Sequence, residues 1–315
     1  MKSKAHLVVK SLHTLVDFVI ISVIILLVFF AVFTSWETGR IYRDSDAEKL
    51  ASYKPETEND LSFAELQKIN SDVMAWLTVY GTPIDYPVAQ AEDNNKYINQ
   101  DLFGSFSLTG ALFLDHKNSP DFTDFNNIIF GHHMEKDKMF GNLDEYRDEN
   151  YFKKHTTGNL YANGRNHGIK AFAWLDVDAY DPNIYNTEID AEADRAILLD
   201  LLKEKSLVYT EGIADTNDHI LLLSTCGTDT TNERYILAAV ITDETYTNPY
   251  PDEDSQGVTL FGRGGFFARY GWLLIVILLI LLIIALIAFI IHRIMKKKQR
   301  ELERRKIAEE KDEKN

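Results

Sequence analysis

One cysteine, Cys226, occurs among the 315 residues. A lone thiol cannot close an internal disulfide, so it is either a stray core side chain or a reactive group. Leu221-Leu222-Leu223-Ser224-Thr225 reads as a strand with the thiol at its exit. Gly227 to Glu233 is a polar loop, and Arg234 opens the next strand. In an antiparallel pair the end of one strand lies beside the start of the next, so Cys226 and Arg234 are expected as neighbours at a rim. A guanidinium there favours the thiolate and can donate to an oxyanion formed on an attacked carbonyl. The other reading of Arg234 is a surface cation on a strand edge. Thr225 reads as a strand residue facing a neighbour, with a contribution to the oxyanion site as the alternative.

Thiol chemistry also needs a proton carrier. Asn127-Ile128-Ile129-Phe130-Gly131-His132-His133-Met134 ends a strand at Phe130, turns at Gly131 and then presents two imidazoles. Imidazole is the usual proton carrier near neutral pH. A competing arrangement makes His132, His133, His116 and His155 a metal site, and the protein a metal-dependent hydrolase. Adjacent residues of an extended segment point to opposite faces, which makes chelation by His132 and His133 awkward. No H-E-x-x-H spacing or cysteine cluster accompanies them. No cofactor or metal is therefore expected. His167 and His219 read as loop and strand-edge residues.

The elements that must position these groups are mostly short strands. Trp76 to Val79 and Ile84 to Val88 flank the turn Gly81-Thr82-Pro83. Further strands are expected at 111–114, 127–130, 160–162, 170–177, 219–225 and 235–242. Many short strands separated by Gly, Asn and Asp predict a closed barrel or sandwich. Ser62-Phe63-Ala64-Glu65 matches a capping box, which predicts a short helix starting near Ser62. Residues 191–205 carry Ile197, Leu198, Leu201 and Leu202 at i, i+4 spacing, which predicts a helix in the long connection between two strands.

Two apolar runs bracket that domain. Phe18 to Phe33 is apolar apart from Ser22, and Trp272 to Ile291 is apolar throughout. A bilayer-spanning helix needs about 20 such residues. A cleaved signal peptide is the alternative for the first run. Lys2, Lys4 and Lys10 precede the first run, and Arg293, Lys296, Lys297, Lys298 and Arg300 follow the second. Basic flanks mark the cytoplasmic side, so both termini are expected inside and the intervening domain outside. Residues 36–270 hold 20 basic and 41 acidic side chains, a net of −21. That balance argues against a nucleic-acid partner and suits a soluble ectodomain or one receiving amine substrates. The expected organisation is a basic N-terminus (1–14), an anchor (15–36), a stalk (37–60), a catalytic domain (61–243), a linker (244–270), a second span (271–292) and a charged tail (293–315).

Leu223-Ser224-Thr225-Cys226 with the following Arg234 resembles the sortase active-site signature. The class B resemblance is closer still. Trp76-Leu77, Gly81-Thr82-Pro83-Ile84-Asp85-Tyr86-Pro87-Val88, Phe113-Leu114-Asp115 and Ile128 to Met134 follow in the class B order. The likeness covers about residues 61 to 243. It implies a sortase β-barrel of about eight strands, flanked here by two transmembrane helices. It places the nucleophile at Cys226, the histidine at His132 and the arginine at Arg234. His133 matches the family's second histidine. The substrate it implies is a secreted protein with a C-terminal sorting motif of the LPxTG or NPxTN sort. Its acyl group would pass through a thioacyl-enzyme to a peptidoglycan cross-bridge amine or a pilin lysine. Water as acceptor would give a hydrolase of the same motif, and loss of activity a binding or scaffold protein. The implied location is the membrane of a Gram-positive bacterium. A C-terminal span with a basic tail is more like the pilin-polymerising class C enzymes.

Overall fold

A computed structural model describes residues 16–17, 20–34, 36, 50–56, 61–134, 137–226 and 232–250, with 290–304 apart from 292 and 303. Nine strands form. They are β1 (Val73–Val79), β2 (Asp85–Ala89), β3 (Leu112–Leu114), β4 (Asn126–Phe130), β5 (Thr157–Ala162), β6 (Arg165–Asp178), β7 (Ser206–Tyr209), β8 (His219–Cys226) and β9 (Glu233–Thr242). Their order is β5-β1-β2-β3-β4-β8-β9-β6-β7, and β5 also pairs with β6. That extra pairing closes an eight-stranded barrel, the one of the two architectures left open by the strand pattern that the sortase resemblance implied, and leaves no open edge among those eight. β6 is long enough to pair β5 along 165–170 and β7 along 173–175 on one side, with β9 on the other.

Every strand read from the sequence is present, most of them longer by a few residues. β7 was not anticipated. Its four residues follow directly on a helix and carry too little pattern to separate from it.

The apolar runs of β4, β8 and β9 are continuous because both faces are covered. Ile129, Leu221, Leu223 and Leu237 join the barrel interior. Ile128, Ile220, Leu222 and Ile236 face outward into a second cluster. The 179–205 connection covers that outer face through Ile184, Ile189, Leu198 and Leu202. A third cluster packs Phe63, Leu66, Tyr97 and Leu102 over Trp76, Phe113 and Tyr161.

The helices differ in detail from expectation. α1 (Leu61–Ile69) starts one residue early, so Ser62 lies inside it. The Ser62 hydroxyl donates to the Lys54 carbonyl at 3.2 Å. α2 (Glu149–Lys154) was not foreseen; Asp148 caps it by accepting from the N–H groups of Asn150 and Tyr151. α3 (Glu192–Lys205) is the expected connection helix. Its apolar stripe is narrower than the spacing suggested: Leu198 and Leu202 are buried and Ile197 is 62 % exposed. A 3-10 helix (Gly141–Arg147) and α2 put Leu143, Tyr146 and Phe152 into the barrel interior as a plug.

Residues 20–34 are helical, and no helix among the described residues is long and apolar enough to cross a membrane. The expected second span at 271–292 lies outside the described residues except for 290 and 291. Most of the stalk, the linker from 251 onward and the loop 227–231 lie outside them too.

Candidate active site

Strand register brings the three sequence-read residues into one row. Cys226, the last residue of β8, pairs with Arg234 of β9. β4 runs parallel to β8, with Ile128 opposite Leu222 and Phe130 opposite Ser224. The Gly131 N–H extends that ladder by donating to the Ser224 carbonyl at 3.1 Å. Continuing the register by two residues sets His132 opposite Cys226. Cys226 and Arg234 thus occupy matching positions on β8 and β9, and His132 follows the end of β4 beside them. His132 and Arg234 share the residue parity of Ile128 and Ile236, which face outward.

Glycine is required before the histidine. A Cβ on Gly131 would sit 2.4 Å from Leu112 Cδ2 and 2.7 Å from the Phe140 ring. His132 Nε2 lies 2.8 Å from the Ile98 carbonyl oxygen. A carbonyl only accepts, so Nε2 carries hydrogen and the second proton of an imidazolium sits on Nδ1. Ile98 is itself held by its surroundings. The Ala111 N–H donates to the Tyr97 carbonyl, and the Tyr97 hydroxyl and Lys96 Nζ reach Asp72 at 2.8 and 2.6 Å. Arg234 NH1 donates to the Glu233 carbonyl at 2.8 Å. A guanidinium has five N–H donors, so this bond leaves capacity for a substrate oxygen.

An aromatic series flanks the row. Phe113 and Phe130 approach to 5.4 Å, Phe130 and Tyr185 stack at 6.1 Å, and the Tyr185 hydroxyl is 3.0 Å from Ser224 Oγ. Phe130 packs against the outer-face cluster and the α1 cluster alike. The site therefore opens between two covers, the 90–111 connection and the 179–205 connection.

His133 goes elsewhere. Its Nε2 lies 2.8 Å from Asp144 Oδ2, and its ring meets Tyr235 edge-on. The two imidazoles diverge, as the extended backbone predicted. His155 sits apart, its Nδ1 bonded to the Tyr151 carbonyl, and His116 lies beside Asp115. Among the described residues no three His, Cys, Asp or Glu side chains are grouped to hold a metal ion. The buried Thr225 hydroxyl has no hydrogen-bond partner.

Residues 77–242 match the family model for the sortase domain, over half of the chain. The chain belongs to the sortase family. Within it, the likeness is to class B. Sortase B of Listeria monocytogenes is 33 % identical over 171 residues, 54 % of this chain and 69 % of that protein. The crystal structure of sortase B from the type II pilus of Streptococcus pneumoniae is 43 % identical with a TM-score of 0.51, covering 58 % of this chain and 99 % of that one. A Staphylococcus aureus sortase B–substrate complex is 26 % identical with a TM-score of 0.58, covering 67 % and 99 %. This sortase is accordingly a cysteine transpeptidase of the class B family.

The Ile98 carbonyl, Asp144, and the Phe113–Phe130–Tyr185 series were not assigned from sequence. A main-chain acceptor has no residue type to read. The other groups come from segments distant in sequence that only the barrel closure brings together.

Proposed function

We propose that this sortase cleaves a C-terminal sorting motif of secreted proteins and transfers the acyl group to an amine, using Cys226, His132 and Arg234. The row formed by the β4, β8 and β9 register carries the reading. The Cys226 thiolate attacks the carbonyl carbon of the scissile peptide bond. The Arg234 guanidinium donates to the oxyanion that forms. His132, as imidazolium, gives its Nδ1 proton to the leaving nitrogen as the C–N bond breaks. Its Nε2–H stays on the Ile98 carbonyl. A thioester on Cys226 and a released amine result. An incoming amine then attacks the thioester, neutral His132 takes its proton at Nδ1, and the thiolate departs from a new amide. Water in place of the amine would give hydrolysis.

The acceptor is a peptidoglycan cross-bridge amine or a pilin lysine. The 43 % identity to a pilus sortase favours the lysine. The enzyme acts at the outer face of the cell membrane, held by the two apolar runs with both termini inside. Support for that placement is the length of the runs and their basic flanks.

The test is turnover of LPxTG and NPxTN peptides with amine acceptors, followed by mass spectrometry. Wild type should form a thioacyl adduct on Cys226 and an amide product. Cys226→Ala should form neither while keeping its thermal transition. Turnover by the alanine variant would sink the assignment.

A further inference from the structure

The turn after β4 carries a second imidazole for which the reaction has no use, and it is held as firmly as the first. The backbone of His133 bridges Met139, and the Phe140 N–H donates to the His132 carbonyl at 3.0 Å. Between them the chain passes through Asp137 at φ 58 and Met139 at φ 53, left-handed conformations that ordinary residues adopt only when their surroundings impose them. The His133 side chain is 18 % exposed, and its Nε2 meets Asp144 Oδ2 at 2.8 Å. A carboxylate accepts, so Nε2 carries the hydrogen and the tautomer is set. The other oxygen, Asp144 Oδ1, is buried without a hydrogen-bond partner.

The contact extends to the arginine strand. The His133 ring lies 6.5 Å from Tyr235, edge to face, and Tyr235 follows Arg234 directly on β9. Arg147, on the same 3-10 helix as Asp144, lies 5.6 Å over the other side of this tie, the Tyr235 ring. His133 is thus wedged between the barrel plug and the start of β9. Its neighbour His132 faces the other way, onto Ile98. A rotation of this turn would swing His132 off the row it shares with Cys226 and Arg234.

We propose that His133 and Asp144 form a positioning pair, which fixes the turn so that His132 Nδ1 meets the leaving nitrogen; this rests on the transpeptidase reading above. The pair touches no reacting atom. Its loss lowers the rate of the chemical step and leaves peptide binding alone. A pair that merely stabilised the plug would change the melting temperature and not kcat.

The experiment compares full-length wild type, His133→Ala, His133→Gln, Asp144→Ala and the His133→Ala/Asp144→Ala double variant. Each is assayed for kcat and KM on the sorting peptide, for alkylation rate of the sole thiol, and for thermal melting. His133→Ala and Asp144→Ala should each lose about ten-fold or more in kcat with KM within about two-fold, the scale expected of a displaced catalytic group. His133→Gln, whose amide can still donate to Asp144, should keep at least about a third of kcat. The double variant should be no worse than the worse single one, because both remove one interaction. An unchanged kcat in folded His133→Ala, a loss confined to KM, a glutamine as poor as alanine, or additive losses would each overturn the pair. If wild type fails to turn over any peptide, the transpeptidase reading fails instead. Alkylation then decides: it must change in His133→Ala and Asp144→Ala together and not in His133→Gln, and an equal rate in all three rejects the pair.

Discussion

A histidine whose Nε2 is committed to a carbonyl has one nitrogen left for chemistry. His132 is in that state, and its Nδ1 is the atom free to carry a proton to the leaving group. Replacing His132 by alanine should therefore reduce kcat by about 10²–10⁴-fold, the range for a positioned acid–base group. His133→Ala should cost far less, because that ring is spent on Asp144. Single-turnover kinetics on the sorting peptide separates the two, and equal losses in folded proteins would remove the distinction. Arg234→Ala should lower kcat by about 10²–10³-fold if the guanidinium serves the oxyanion; an unchanged kcat would return Arg234 to the role of a strand-edge cation. The positions of Cys226, Arg234 and His132 beside one another were legible in the sequence because each adjoins the end or start of an apolar run, where a rim must be. The Ile98 carbonyl was not, since it becomes an acceptor for His132 only once the 90–111 connection folds across the barrel.

At the scale of elements, the site depends on two segments with little room to move. The turn after β4 admits no side chain at position 131, where a Cβ would press on Leu112 and Phe140. Gly131→Ala should cost about 1–3 kcal/mol by overpacking and lower kcat as well, since the displaced residue adjoins His132. Denaturant melts of this variant beside its kcat check both; a stable, fully active Gly131→Ala would mean the turn yields freely. The second segment, 95–98, is tied down through Asp72. Burial pushes the Asp72 carboxyl up, but the hydrogen bonds from Lys96 and Tyr97 outweigh it and hold it below its ordinary value. A depressed folded value stabilises above the unfolded pKa, and that contribution is lost as pH falls through the folded one. Acid melting of wild type should accordingly steepen below about pH 4, and Asp72→Asn should flatten that part of the profile. Parallel profiles in the two proteins would show that the tie to Lys96 and Tyr97 is not coupled to folding. The eight barrel strands were readable because turn residues punctuate them at short intervals. β7 and α2 were not, as four and six residues hold too few periods to outweigh their neighbours.

At the scale of the whole molecule, the ends of the catalytic unit are anchored together, away from the row that carries Cys226. Thr242 pairs with Gly168, Gly168 with Asn159, Asn159 with Thr78 and Thr78 with Asp85. This row lies eight residues along β9 from Arg234, about 26 Å of extended strand. The incoming chain is fixed to it by Lys54, whose Nζ meets Asp85 Oδ2 at 2.6 Å. The outgoing chain folds back beside it. The Tyr80 hydroxyl donates to the Tyr246 carbonyl, the Tyr250 hydroxyl donates to the Lys154 carbonyl, and the Tyr250 ring stacks on His155 at 5.2 Å. A Cβ on Gly81 would strike that ring at 2.7 Å, so the turn between β1 and β2 is shaped to receive it. Tyr250→Ala should destabilise the domain by about 1–2 kcal/mol, the sum of a ring contact and a hydrogen bond, while leaving kcat on a soluble peptide unchanged.

Both ends of the catalytic unit lie beside the β1–β2 hairpin, an arrangement compatible with the two-span topology proposed above. The apolar runs that follow in either direction have basic residues on their far sides, at Lys2, Lys4 and Lys10 and at Lys296 to Lys298. On the topology proposed above, the positive-inside bias puts both termini in the cytoplasm and the acidic catalytic unit outside, where a thiolate can meet secreted chains. The opposite orientation would carry the Lys296 to Lys298 cluster across the membrane against that bias, and would leave Cys226 in the cytosol with neither sorting motifs nor wall amines. Protease shaving of intact cells, with tags at both ends and an antibody to the barrel, checks the arrangement. The expected outcome is loss of the barrel epitope with both tags protected. Digestion of the C-terminal tag from outside would overturn the two-span topology, and absence of the N-terminal tag from the mature chain would turn the first run into a cleaved signal with the second as sole tether.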